Sequence, residues 1–212
     1  MASSEACGLV ASSMVIGYEL HPGTLYLNVT NRCSNDCTFC VRRRAGFSLG
    51  GYAMRLEREP TASEVLGDVA RRERERGRRF DEVVFCGFGE PTMRLELVSQ
   101  VGRALRAQGS RVRLNTNGHA ALIAGCDPMP LLAGALDALS VSLNAPDATS
   151  YAELCRPRFG AAAYPAVLDF ARAANERFAQ VTLTVVGGTL DEQNITRSAE
   201  IAAALGANFR VR

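Results

Sequence analysis

Residues 25–40 read LYLNVTNRCSNDCTFC. Residues 25–30 alternate and are rich in β-formers, and two residues later come three cysteines, Cys33, Cys37 and Cys40. The same kind of short apolar or alternating run recurs at 83–86, 112–115, 139–143, 181–186 and 209–211. Helical stretches lie between, over 62–77, 95–108, 130–136, 165–178 and 196–205. Thr61 followed by Glu64 is a capping box, and Gly109 and Gly206 are placed to close helices. Strands alternating with helices predict an α/β fold with parallel strands and right-handed crossovers that curls toward a barrel. With six strands it is a partial (β/α)6 TIM-like barrel with a lateral opening, and its chemistry belongs at the C-terminal ends of the strands. The whole chain, 1–212, reads as a single domain, with 1–24 a loosely ordered lead-in or short first hairpin and 25–212 the βα repeats.

The composition narrows the chemistry. A chain of 212 residues, 47% apolar, can bury a substantial core, and a formal charge of +2 does not call for nucleic acid or an anionic membrane. All 24 basic residues are arginines, so no Schiff-base or phosphate-loop lysine exists. His21 and His119 are the only two histidines, too few for a His-rich metal site. Seven cysteines with no recognisable leader favour reduced thiols and a cytoplasmic location. The longest apolar runs fall far short of the ~20 residues that cross a bilayer.

Three thiolates leave one iron of a [4Fe-4S] cube open, whereas four would saturate it. Two other readings use the same cysteines: a structural zinc site recruiting Cys7, Cys86 or His21, and an iron-sulfur electron carrier or redox sensor, which would want a fourth ligand.

The CxxxCxxC spacing, with Phe39 just before its last cysteine, resembles the signature of the radical S-adenosylmethionine (SAM) superfamily. The resemblance implies a radical SAM core in which Cys33, Cys37 and Cys40 hold a [4Fe-4S] cluster, and the open iron chelates the methionyl end of SAM. Reductive cleavage then gives a 5'-deoxyadenosyl radical, with Phe39 packed beside the adenine. The loop at 87–91, Gly87-Phe88-Gly89-Glu90-Pro91, resembles the family's Gly-Gly-Glu motif, which carries the SAM amino group to Gly87, Gly89 and Glu90; Phe88 between the glycines is a departure.

Ser140, Ser142 and Asn144 are two apart and share one face of their predicted strand. The resemblance makes Ser142 and Asn144 contacts to the ribose and carboxylate of SAM, with Asn117 nearby, and places Val185 and Val186 against adenine. For Asn117 local turn capping is an equal alternative, and for the valines so is a buried strand.

Cys86 reads as core, and Cys155 as the outside candidate for a site residue. Arg42, Arg43 and Arg44 could grip an anionic substrate, dock a flavodoxin- or ferredoxin-type electron donor, or be surface charge. The charge run at 71–79 reads as a solvated helix face. Taken whole, the chain is similar to the short radical SAM proteins associated with TatD-type nucleases, which implies a functional link to such a nuclease, although the His and Asp clusters of a metal hydrolase are missing.

Overall fold

The computed structural model describes residues 14–212, apart from the side chains of residues 44 and 45, so Cys7 and the arginine side chain at position 44 lie outside the described residues. The main sheet contains β1 (Gly17–His21), β2 (Thr24–Leu27), β5 (Glu82–Phe85), β6 (Val112–Thr116), β7 (Ala138–Ser142), β8 (Val181–Val185) and β9 (Asn208–Val211). Their spatial order equals their chain order. Five successive parallel pairings join β2 through β9, the ladder expected of βα repeats.

The first pairing is different, because β1 runs antiparallel to β2. Its strand lies inside the segment read as a lead-in or short first hairpin, and it is the hairpin that forms, because the short turn through Gly23 leaves no length for a crossover. A small hairpin, β3 (Ser48–Leu49) and β4 (Tyr52–Ala53), follows the one-turn helix α1 (Val41–Ala45) in the loop after the cysteines.

The covering helices are α2 (Ala62–Arg76), α3 (Leu95–Ala107), α4 (Ala120–Ala124), α5 (Met129–Leu132), α6 (Ala148–Cys155), α7 (Ala163–Asn175) and α8 (Glu192–Ala204). The helix expected at 130–136 is shorter, and α4 precedes it: Gly125 in the left-handed region and Pro128 split the segment. α8 starts earlier than expected, since Asp191 caps it by accepting from Asn194 N at 2.7 Å. The run at 71–79 is indeed a solvated face, with Arg71 bridging Asp68 and Glu75.

Alternate strand residues divide the sheet into two faces. Leu25, Leu27, Val83, Phe85, Leu114, Val141 and Leu183 pack against Val65, Val98, Val101, Leu105, Val167 and Phe170 of the helices in one buried cluster. The opposite, inner face carries Glu82, Arg113, Asn115, Ser140, Ser142, Thr182, Thr184 and Arg210. Arg113 lies there with its charge matched, 2.8 Å from Glu82 and 2.6 Å from Asn115. Among the described residues no helix is long and apolar enough to cross a membrane.

The capping box forms as read, with Thr61 Oγ1 accepting from Glu64 N at 3.3 Å and the Glu64 carboxylate accepting from Thr61 N at 2.8 Å. Thr61→Ala is expected to lower stability by about 1 kcal/mol, a fall in melting temperature of roughly 2–4 °C followed by circular dichroism.

Candidate active site

The cysteine loop has no ladder of its own, so its backbone is satisfied by neighbours. Asp36 N donates to Cys155 O at 3.0 Å and Thr38 N to Leu154 O at 2.9 Å, which pins the loop to the C-terminal end of α6. Arg158 N donates to Ser34 O at 2.9 Å, and Asn35 bridges Pro157. On the other side, Glu59 accepts from Thr30 Oγ1 at 2.6 Å and from Arg32 Nε at 2.7 Å.

Below the loop runs a buried polar chain. Asn117 Nδ2 donates to Ser34 Oγ at 2.8 Å, Ser34 Oγ meets His119 Nδ1 at 3.0 Å, and His119 Nε2 meets Tyr151 OH at 3.1 Å. Asn35 Nδ2 closes the chain by donating to the same Tyr151 hydroxyl at 3.1 Å. His119 is fully buried, and desolvation pushes its pKa down to about 4.

The sulfurs receive donors. Asn35 N lies 3.4 Å from Cys33 Sγ, Arg42 Nε 3.3 Å from Cys40 Sγ, and Asn117 Nδ2 3.9 Å from Cys33 Sγ. Burial raises the Cys33 thiol to about 12, with the Glu90 charge adding to it. Cys37 is raised too, first by sharing a hydrogen bond with Cys155 and then by burial.

One cavity of about 150 Å³ gathers Cys33, Cys37, Phe39, Gly87, Gly89, Glu90, Asn117, Ser142 and Asn144, nine of the twelve residues to which the resemblance gives a site role. Cys40 stands beside it at the start of α1, its amide donating to Cys37 O at 3.1 Å. Val185 does not line it: the strand pleat turns its side chain away from Thr184's face, and its carbonyl accepts from Arg212 N at 3.0 Å.

Several roles differ from the sequence reading. A Cβ on Gly89 would stand 2.2 Å from Thr30 O, and one on Gly87 2.3 Å from Asn28 Oδ1, so both glycines admit the loop after β2 as well as lining the cavity. Phe88 turns away from the cavity into a cluster with Tyr18 and Met54, which accounts for its place between them.

Glu90, 4% exposed, accepts at Oε1 from Thr92 N, Thr92 Oγ1 and Thr116 Oγ1 at 2.7–3.1 Å and at Oε2 from Asn117 N at 2.7 Å. It ties the β5 loop to the end of β6, and burial holds its pKa above the usual carboxylate value. The Asn117 side chain is taken up by Ser34, Cys33 and His119 N, which favours its capping role. Asn144 lies beyond the end of β7 with φ +60°, so backbone conformation rather than strand alternation aims it. Cys86 lines the cavity instead of the core, and Cys155 is buried with Asn144 Nδ2 donating to its sulfur at 3.4 Å.

A model of the Radical SAM superfamily matches residues 27–202. The chain belongs to the radical SAM superfamily. A relative named probable dual-specificity RNA methyltransferase RlmN 1, from Opitutus terrae, is 29% identical over 82% of this chain. A Thermotoga neapolitana protein of the same designation is 30% identical over 36%. This chain spans 48% and 20% of their lengths respectively. A radical SAM methyltransferase structure from Sphaerobacter thermophilus superposes with a TM-score of 0.64 at 25% identity, covering 90% of this chain and 56% of that one. Streptococcus suis SuiB bound to its precursor peptide shares the fold, with a TM-score of 0.68 at 18% identity, covering 90% of this chain and 39% of that one.

The cofactors of the radical SAM superfamily are a [4Fe-4S] cluster and SAM, and the residues present fit them. Among the described residues no three His, Cys, Asp or Glu side chains close on one point as a single metal ion would require. A cube, which takes each thiolate at a different iron, spreads its ligands further. Asn35 Oδ1 and Asn144 Oδ1, on two cavity-lining side chains, are buried without a partner. Such orphaned acceptors suit the donors of a bound ligand.

Sequence reasoning missed Asn35, Thr116, His119, Tyr151 and Arg212. Asn35 inside the cysteine motif and Thr116 and His119 around Asn117 had local signals, whereas Tyr151 and Arg212 arrive from distant strands and helices.

Two outcomes follow from this geometry. Gly89→Ala drives a Cβ into two backbone carbonyls and is expected to lose about 2 kcal/mol or more in urea unfolding. The neutral ring of His119 protonates more readily in the unfolded chain, so native stability is fully present above pH 6.5 and falls as pH drops from 6.5 toward 4. Between pH 7 and 5 the loss is expected to be about 2 kcal/mol, and His119→Gln should flatten that part of the stability profile.

Proposed function

We propose that this chain is an enzyme in which Cys33, Cys37 and Cys40 hold a [4Fe-4S] cluster. With SAM bound, such a cluster would supply the electron for its reductive cleavage, the source of 5'-deoxyadenosyl radical chemistry that begins with hydrogen abstraction from the substrate. The observation that carries the reading is the convergence of the three-cysteine loop, the Gly87–Glu90 loop and the ends of β6 and β7 on one cavity.

The chain's own residues position this chemistry. Phe39 forms an apolar wall, Asn144 offers an unpartnered carbonyl oxygen, and Glu90 keeps one oxygen with a single donor that leaves room for an ammonium. Arg42 Nε, donating to Cys40 Sγ, stabilises negative charge on the sulfur. The relatives' names favour methyl transfer, to RNA, as the outcome of the radical step. The chain spans 48% and 20% of those relatives' lengths.

A flavodoxin- or ferredoxin-type donor would supply the electron, with the exposed Arg43 near the cysteine loop as a docking charge; in the structure it pairs with Asp36. A cytoplasmic setting goes with this reading. A link to a TatD-type nuclease rests on the sequence resemblance alone, whereas the relatives carry RNA methyltransferase designations.

The test is anaerobic cluster reconstitution, iron and sulfide analysis, and reaction with SAM and dithionite. The native protein is expected to release 5'-deoxyadenosine and Cys37→Ala to fall to background. A full cluster that never cleaves SAM supports an electron carrier or redox sensor instead, and zinc in place of iron and sulfide sinks the proposal.

A further inference from the structure

Cys86 follows the last residue of β5, and the strand pleat decides which way it points. Val83 and Phe85 belong to the apolar cluster between sheet and helices, so Glu82, Val84 and Cys86, of the opposite parity, look to the inner face. Cys86 N donates to Leu27 O at 3.1 Å, and Cys86 O accepts from the buried Tyr18 hydroxyl at 3.0 Å, which fixes the residue from both sides. The thiol therefore enters the cavity that also takes Cys33 and Cys37. It stands outside the three-cysteine loop and is half-buried, whereas Cys155 is buried and Cys126 is exposed just after α4.

The cavity itself asks for a ligand. Asn35 and Asn144, 5% and 3% exposed, each leave Oδ1 without a partner there. Among the side chains around that ligand, a thiol is the one that holds a hydrogen more weakly than the C–H bonds of a sugar or alkyl group. The others are hydroxyls, amides, a carboxyl, a guanidinium, and aromatic or alkyl groups, whose O–H, N–H and C–H bonds are as strong or stronger. With Cys33 and Cys37 committed to the cluster, Cys86 is the lining thiol that remains.

We propose that Cys86 is the hydrogen-atom donor of this cavity, the side chain that quenches a carbon-centred radical formed there. The radical carbon takes the hydrogen of the Sγ–H bond, so a C–H bond forms and the unpaired electron is left on Sγ. One electron from a one-electron reductant and one proton from solvent restore the thiol. The transfer runs downhill because the C–H bond made is stronger than the S–H bond broken. The inference rests on the radical reading of the cavity and adds the residue that ends the radical's life.

The test runs the cluster-loaded full chain with SAM and dithionite in deuterium oxide, where thiols carry exchangeable deuterium. No substrate is needed, because the 5'-deoxyadenosyl radical itself takes the atom. The 5'-deoxyadenosine released by the native protein is expected to carry deuterium at its 5' carbon, read by mass spectrometry. Cys86→Ser and Cys86→Ala should lose that label to background while keeping the native content of iron and sulfide, and Cys126→Ser, outside the cavity, should retain the label. A second measurement needs no variant: in the cluster-loaded protein N-ethylmaleimide should modify Cys86, and S-adenosylhomocysteine should slow the modification, read peptide by peptide.

Deuterium retained in both Cys86 variants, or a Cys86 whose modification S-adenosylhomocysteine leaves unchanged, would overturn the proposal. So would loss of iron and sulfide from both variants, which makes Cys86 a cluster ligand. A native protein that releases 5'-deoxyadenosine without Cys86-dependent deuterium defeats this inference and leaves the proposed function standing. No 5'-deoxyadenosine from the native protein defeats the proposed function, and this inference falls with it.

Discussion

Everything at the candidate site depends on how an eight-residue loop without secondary structure satisfies its own backbone. Asp36 and Thr38 donate to the last carbonyls of α6, and Ser34 accepts from Arg158, so the loop borrows the hydrogen-bonding groups that a helix end leaves free. The loop's position is therefore set by α6, more than a hundred residues away in the chain. The chain Asn117, Ser34, His119, Tyr151 and Asn35 then fixes the same loop to β6 from beneath. Because both ring nitrogens of His119 are engaged without a charge partner, the ring stays neutral and the clamp is tightest above the pH at which histidine ordinarily titrates.

Glu90 plays the corresponding part for the next loop. A buried carboxylate surrounded by four donors holds the strand ends of β5 and β6 in register, and burial and hydrogen bonding pull its pKa in opposite directions. The two glycines before it allow the loop after β2 to approach within a distance that any side chain would block. Three neighbouring strand ends are thus drawn together by contacts among themselves, and the cavity is what remains between them. Orphaned acceptors on Asn35 and Asn144 show that this cavity is not self-sufficient in hydrogen bonds.

The inner face of the sheet is polar as well. In a closed barrel it would be a packed core, but here it carries Glu82, Arg113, Asn115, Ser140, Ser142 and Thr184. There Arg113 is matched by the Glu82 carboxylate at 2.8 Å. The family shared with the methyltransferase relatives accounts for the common core.

The sequence by itself determined the alternation of strands and helices, because periodicities of two and 3.6 are local properties, and it determined the three-thiol loop after the first parallel strand. It also identified nine of the residues that share the cavity. Their roles were less legible. Gly87, Gly89 and Asn117 also serve neighbouring backbone and side chains, Val185 faces away, and α4 escaped notice since it is short and bounded by glycine. Only the tertiary structure decided that Tyr151, Cys155 and Arg212 meet the cysteine loop, and that His119 is buried between Ser34 and Tyr151. Parallel strands paired through long crossovers bring together residues separated by up to the length of the chain, and spacing along the chain carries no record of such contacts.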